Sequence, residues 1–343
     1  MCGIVGYVGY DEAAGKIIEG LKKLEYRGYD SSGIAILSDK GIELNKCKGE
    51  IKNLENMIAG RIPSGTCGIG HTRWATHGAP SDVNSHPHMD QSGRVALVHN
   101  GIVENYVELK EALINEHGIK FKSETDSEVI AQLVGVKYNA NGGDLEKAVY
   151  DAIKEMRGTY AIGVIAEDTP DKIVAYRKEA PLIAGLGKKS NFIASDIPAL
   201  LKYTNDIFLI ENDEMVICTP DSITIKDKDG KEVKREAMKI TWSVEDAEKG
   251  GYEHFMLKEI NEQPKVVAET LNRRIDEDGK IKLDGINLTK EELDKYNKIY
   301  IVACGTAYHA GLVGKYVIEK MAGIAVEVDV ASEFRYRNPF IDE

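Results

Sequence analysis

The run Cys2-Gly3-Ile4-Val5-Gly6-Tyr7-Val8-Gly9 opens the chain with small and apolar residues only. Such a glycine-rich apolar run reads as a strand buried on both faces. Just beyond it, Ala14, Ile17, Ile18, Leu21 and Leu24 recur at helical spacing, and Gly28 ends the run. A buried strand followed by a helix with one apolar face predicts a helix layer lying on a sheet. Working outward, further strands are expected at 32–37, 67–71, 95–99, 159–166, 172–176, 191–195, 206–210 and 214–218. Helices are expected near 50–58, 104–117, 126–137 and 144–157, the third opening on Thr125-x-x-Glu128, a capping-box pattern. Groups of strands with helices between them, rather than strict alternation, predict stacked α and β layers.

The stretch 219–251 is different, being polar and dense in charge. It predicts a last hairpin around Asp229-Gly230 and a linker at 241–251, so that a first domain covers 2–240. Beyond the linker a helix is expected at 253–273, a strand at 298–304, a turn at Gly305-Thr306, a helix at 307–321 and a strand at 324–330. This is one βαβ unit, the building block of a parallel sheet. Parallel sheets need several strands covered on both faces. Residues 252–343 are therefore expected to be the N-terminal part of a second domain, truncated partway.

A length of 343 residues suits two domains. The net charge of −12 argues against a nucleic-acid backbone or an anionic membrane as partner, since both reward a positive face. No apolar run approaches the ~18 residues of a membrane span, and the N-terminus lacks the basic and apolar regions of a signal peptide. Cys2, Cys47, Cys67, Cys218 and Cys304 are scattered and odd in number, which predicts free thiols in a reducing cytoplasm.

Four clusters could carry chemistry. If Met1 is removed, the α-amino group of Cys2 could take the proton of its own thiol, a nucleophile with a built-in base; the alternative is an inert buried cysteine. In Gly70-His71-Thr72-Arg73-Trp74-Ala75-Thr76-His77-Gly78, Arg73 offers a planar fork for a carboxylate and Thr76 a hydroxyl, while Trp74 could close a pocket or fill the core. Val98-His99-Asn100-Gly101 ends an apolar strand on an amide and a flexible glycine, either an oxyanion hole or an ordinary Asn-Gly turn. In Ser123-Glu124-Thr125-Asp126 a carboxylate stands at a helix start, where it could cap the helix or hold an ammonium group. His71, His77, His86, His88 and His99 match no zinc spacing, so no metal is expected. Together the clusters make a consistent glutamine site: thiol on the side-chain amide, Asn100 and Gly101 on the oxyanion, Arg73 on the α-carboxylate, Asp126 on the α-amino group.

In order and spacing, CGIVGYVG, LEYRGYDSSG, GHTRWATHG, NSHPH, HNGIVENY and SETDSEVIA resemble the class II glutaminase domain with an N-terminal nucleophile. RKEAPLIAGLG, NFIASDIPALL, HFMLKEINEQP and VACGTAYHAGL narrow the resemblance to the glutamine–fructose-6-phosphate aminotransferase (isomerizing) family. The resemblance implies a four-layer α/β/β/α glutaminase sandwich followed by a doubly wound α/β sugar-isomerase (SIS) domain, here incomplete. It implies Cys2 as nucleophile and base, and Asn100 with Gly101 as oxyanion hole. Arg73, Thr76, His77, Gly101 and Asp126 would contact glutamine, and Trp74 would gate the path of ammonia. Cys304, Gly305 and Thr306 would begin the sugar-phosphate site, where the family usually has Ser in place of Ala307. No cofactor is implied, the substrates are glutamine and fructose 6-phosphate, and the full-length enzyme is a homodimer. This chain alone is expected to hydrolyse glutamine only. The rival readings are another class II amidotransferase, of phosphoribosyl type, and a non-catalytic sugar-phosphate sensor.

Overall fold

Strand β1 (Gly3–Gly9) is buried along its whole length in the computed structural model, and it pairs antiparallel on both edges. The structure describes residues 2–75, 77–241, 251–276, 278–283, 286 and 288–341, in two units, Met1–Tyr252 and Glu253–Glu343.

In the first unit β1 leads into α1 (Ala13–Lys22), β2 (Ser31–Ser38), β3 (Gly41–Lys48), α2 (Ile51–Ile58) and β4 (Cys67–Arg73). Then come β5 (His88–Met89), β6 (Val95–Val103), α3 (Tyr106–His117), α4 (Asp126–Ala140), α5 (Leu145–Glu155), β7 (Gly158–Ala166) and β8 (Ile173–Lys178). The unit closes with β9 (Ile183–Leu186), β10 (Ser190–Ala194), β11 (Asp206–Leu209), β12 (Glu214–Cys218), β13 (Ile223–Lys226) and β14 (Met238–Lys239). Among the described residues the strands form an eight-stranded sheet, β14-β11-β9-β10-β1-β4-β2-β3, and a six-stranded sheet, β13-β12-β8-β7-β6-β5.

Side-chain alternation sorts the apolar residues into three layers. Ile4 and Val8 of β1, Ile69 of β4, Val98 of β6 and Ile165 of β7 meet between the two sheets. Val5 and Tyr7 point the other way and join Ile17, Leu21 and Leu54 of α1 and α2. Leu97, Ile162 and Val164 likewise face Val129, Leu133 and Val149 of α4 and α5. The order is helix, sheet, sheet, helix. Gly68 and Gly70 lie under α1, where an added Cβ would come within 2.5 Å of Ile36 Cδ1 and 2.4 Å of Ile17 Cγ2.

The sequence places no strand at 41–48, yet β3 is there, at the edge of the larger sheet. Its two faces are both half-buried, so Ile42 and Leu44 never build a clean apolar alternation against Glu43, Asn45 and Lys46. The capping box of α4 is also altered. Thr125 Oγ1 accepts from the Glu128 N–H at 3.2 Å, but the Glu128 carboxylate reaches past the cap to the N–H groups of Lys122 and Ser123.

The second unit holds α6 (Phe255–Asn272), α7 (Lys290–Leu293), β15 (Lys298–Ala303), α8 (Gly305–Ala322), β16 (Ala325–Val330) and α9 (Ala331–Tyr336). β15 and β16 pair in parallel with Lys298 opposite Ala325. Gly305 and Thr306, expected in a turn, are the first residues of α8, with Cys304 as its N-cap. Most of the expected linker, 242–250, lies outside the described residues.

Candidate active site

The antiparallel register of β1 with β4, Gly3 opposite Thr72, sets Cys2 beside Arg73 and Trp74 at one end of the sheet. The Trp74 N–H donates to Cys2 Sγ at 3.3 Å, and the thiol reaches the Trp74 carbonyl at 3.5 Å. Burial raises the Cys2 thiol pKa; the Trp74 N–H and the nearby Arg73 charge offset part of that rise. A thiol in this setting is a poor source of thiolate unless a base takes its proton.

From the second sheet β6 contributes Asn100, whose Nδ2 donates to the Cys2 carbonyl at 3.1 Å. Asn100 Oδ1 lies 2.9 Å from His71 Nε2. Gly101 follows at φ 122°, with Thr159 O only 2.0 Å from where a Cβ would stand, so no side chain fits there. Asp126 is the first residue of α4 rather than its cap; its Oδ2 accepts from the Val103 N–H at 3.0 Å. Next to it, Ser127 Oγ meets His99 Nδ1 at 2.8 Å. Arg73 is buried at the end of β4. One of its terminal nitrogens donates to the His77 and Gly78 carbonyls, while Nη1 has no hydrogen-bond partner among the described residues.

Cys2, Arg73, Trp74, His77, Gly101 and Asp126 thus line one small cavity, joined by His86, His99, Thr125 and Ser127. Trp74 stands at its rim, half exposed, with its ring edge-on to Tyr29 at 5.7 Å. The His77 ring packs against Tyr106. Thr76 lies outside the described residues. Cys304, Gly305 and Thr306 belong to the second unit and are exposed at the start of α8. A larger cavity, about 980 Å³, is lined by Lys46, His88, Lys120, Lys122 and Glu128 and contains none of the predicted site residues.

Four residues around the site are absent from the candidates named from the sequence. Arg27 donates from Nε to the Cys2 carbonyl at 3.3 Å and pairs with Asp196 at 2.6 Å. Gly28 lets this turn press on the Arg73–Trp74 peptide, with Arg73 C 2.7 Å from its missing Cβ. Asp30 accepts from the Ala75 N–H, and Ser195 Oγ accepts from the Ile4 N–H at 3.0 Å. The signal for the first three was the RGYD run of LEYRGYDSSG, legible only once its partners are known.

A glutamine amidotransferase domain model matches residues 71–202 and a SIS domain model matches 292–343. Over 343 residues the chain is 59% identical to the glutamine–fructose-6-phosphate aminotransferase (isomerizing) of Clostridium tetani and 48% identical to that of Thermus thermophilus. It covers 56% and 55% of those proteins, so the chain spans about half the length of the curated relatives it matches. Among solved structures, the allosteric regulatory enzyme of purine biosynthesis aligns with 66% of this chain and 49% of its own, at TM-score 0.58 and 25% identity. The glutamine phosphoribosylpyrophosphate amidotransferase of B. subtilis covers 95% of this chain and 65% of its own, at TM-score 0.59 and 19% identity, a likeness of fold. The fold is that of the class II, N-terminal-nucleophile amidotransferases, followed by the start of a SIS domain. Along its whole length the chain is similar to glutamine–fructose-6-phosphate aminotransferases, with a glutamine amidotransferase domain followed by the start of a SIS domain.

Proposed function

We propose that the first unit is a glutaminase, and that in the whole enzyme the ammonia it releases converts fructose 6-phosphate to glucosamine 6-phosphate. The observation that carries this reading is the meeting of Cys2 with Asn100. A thiol and an amide donor 98 positions apart are joined through the Cys2 backbone at 3.1 Å, beside a buried guanidinium and a buried carboxylate. Once Met1 is removed, the free α-amine of Cys2 takes the thiol proton, directly or through a water, and the sulfur attacks the glutamine side-chain carbonyl. Asn100 Nδ2 and the Gly101 N–H hold the oxyanion. The proton passes to the leaving nitrogen, ammonia departs, and water hydrolyses the thioester to glutamate. Arg73 Nη1, with no protein partner, takes the substrate carboxylate, and Asp126 takes its ammonium group. His77 lines the same pocket, and Thr76 is assigned a contact with glutamine by its place in GHTRWATHG alone.

The cavity holds about 20 Å³, room for one water, so its lining opens further when glutamine binds. Trp74, half exposed at the rim of this cavity, is taken as the gate on the path of ammonia. In the second unit, Cys304, Gly305 and Thr306 at the head of α8 offer the first contacts for the sugar phosphate. The soluble enzyme is proposed to be cytoplasmic and, at full length, a homodimer.

The test is glutamine hydrolysis by the purified chain, with intact mass measured on the same sample. Active protein lacking Met1, and loss of activity in a folded Cys2→Ala variant, are expected. Activity with Met1 still attached, or a wild-type rate in Cys2→Ala, overturns the assignment.

A further inference from the structure

The imidazole of His71 is fully buried on β4 and takes no part in the steps above. Its Nε2 faces two oxygens at once, the His99 carbonyl at 3.0 Å and Asn100 Oδ1 at 2.9 Å. Its Nδ1 is buried with no hydrogen-bond partner. The direction of every bond in this chain is settled from its two ends. A backbone carbonyl can only accept, so the Asn100 atom facing Cys2 O must be the nitrogen, and the atom facing His71 the oxygen. The His99 carbonyl likewise requires the proton of His71 to sit on Nε2. One N–H is then shared between the His99 carbonyl and the Asn100 amide.

We propose that His71 is a positioning residue for glutamine hydrolysis, its Nε2–H fixing the Asn100 amide so that the nitrogen, not the oxygen, faces the reacting carbonyl. The proposal rests on the reading of Asn100 as an oxyanion donor. An amide turned through 180° would set a lone pair against the Cys2 carbonyl and against the developing oxyanion. Among the described residues two hydrogen bonds oppose that turn, one to the Cys2 carbonyl and one from His71. The His71 ring is itself held by its strand and by the ring of His86, 4.1 Å away and inclined at 30°. Deep burial keeps the imidazole neutral, its pKa lowered to about 3, so its bonding role is constant across the working pH range. The hydrogen bonds of Cys2 Sγ go to Trp74 rather than to His71, and His71, like Asn100, stands behind the residues that line the small cavity.

The experiment is a double-mutant cycle on glutamine hydrolysis with His71→Leu, His71→Gln, Asn100→Ala and the His71→Leu/Asn100→Ala pair. His71→Leu removes the donor at similar volume and should lower kcat about tenfold to a hundredfold while KM for glutamine stays within about twofold. His71→Gln, whose terminal N–H₂ reaches about as far as Nε2, should restore most of the rate. In the Asn100→Ala background, His71→Leu should cost nothing further, because there is no amide left to orient. An additive loss in the pair, or an equal loss in Leu and Gln variants, overturns the proposal. If Asn100→Ala itself leaves kcat unchanged, the oxyanion reading fails instead. Should the Leu variant not fold, nitrogen shifts of ¹⁵N-histidine-labelled wild-type protein decide: the neutral Nε2–H form is expected for His71, and an Nδ1–H form overturns the assignment.

Discussion

Arg73 divides its guanidinium between two tasks. One terminal nitrogen ties down the His77 and Gly78 carbonyls and so shapes the rim, while Nη1 stays unbonded inside the protein. A buried donor without a partner costs about 1–3 kcal/mol, a cost that the proposed substrate carboxylate would relieve. Arg73→Lys and Asp126→Asn should therefore act chiefly on glutamine KM, with kcat/KM down about tenfold to a hundredfold, the loss of a charge-assisted hydrogen bond. Steady-state kinetics that show kcat falling with KM unchanged would place both residues outside the binding of the substrate's charged ends. At this scale the residues proposed to touch substrate are the ones that stand in a short motif whose chemistry is local: Asn100-Gly101 at a strand end, Asp126 at a helix start. The residues that hold them were not. Arg27 acts on Cys2, and His71 on Asn100, through contacts set by strand register, which no single stretch of sequence displays.

Elements meet closely where the sequence is poorest in side chains. Gly70 on β4 lies beneath Ile17 and Leu21 of α1, the latter's Cδ1 2.9 Å from the missing Cβ. Gly70→Ala should push α1 off the sheet and destabilise the first unit by about 1–3 kcal/mol, read as a fall of several degrees in Tm. An unchanged Tm would mean that α1 shifts freely. Neighbouring β3 carries a different tension. Lys46 gives its ammonium group to the Val83 and Ser85 carbonyls, the latter at 2.6 Å, and burial lowers its pKa to about 8. In the unfolded chain that amine titrates near 10.4. Below pH 8 the charge is present in both states and its burial opposes folding in full. Between pH 8 and about 10.4 the folded protein releases the proton first, so the Lys46 contribution to stability improves as pH rises, by up to about 1.4 kcal/mol per unit. The stability of wild type relative to Lys46→Met should follow that slope in urea titrations. A difference independent of pH would show that the amine is not confined as described. β3 escaped the sequence for a related reason, since an edge strand half-buried on both faces pairs through its backbone and needs no apolar alternation.

The two units differ in what they bury. The first closes three apolar layers around two sheets. In the second, among the described residues, only Gly311 and Val326 are buried. On α8, Val313, Tyr316 and Met321 are exposed, Met321 at 82%, and along α6 Met256, Ile260 and Val267 are exposed as well. Amphipathic helices and a two-strand parallel ladder without covering layers do not offset the entropy of ordering the chain. The βαβ order was legible because strand and helix periods alternate cleanly there. The head of α8 was misread because Gly305, at φ 58°, looks like a turn residue although it opens the helix. The consequence is a difference in local stability. Limited proteolysis of the 343-residue chain should cut first near 241–251 and within the second unit, leaving a fragment from Cys2 to about residue 240 that keeps glutaminase activity. Exposed apolar faces and unpaired strand edges should also make the intact chain self-associate with concentration, in a way that the fragment does not. Mass spectrometry of the digest and sedimentation of both species check this. A protease-resistant 252–343 segment, or an intact chain that stays monomeric at high concentration, would show that these helices and strands are covered by contacts the exposures do not contain.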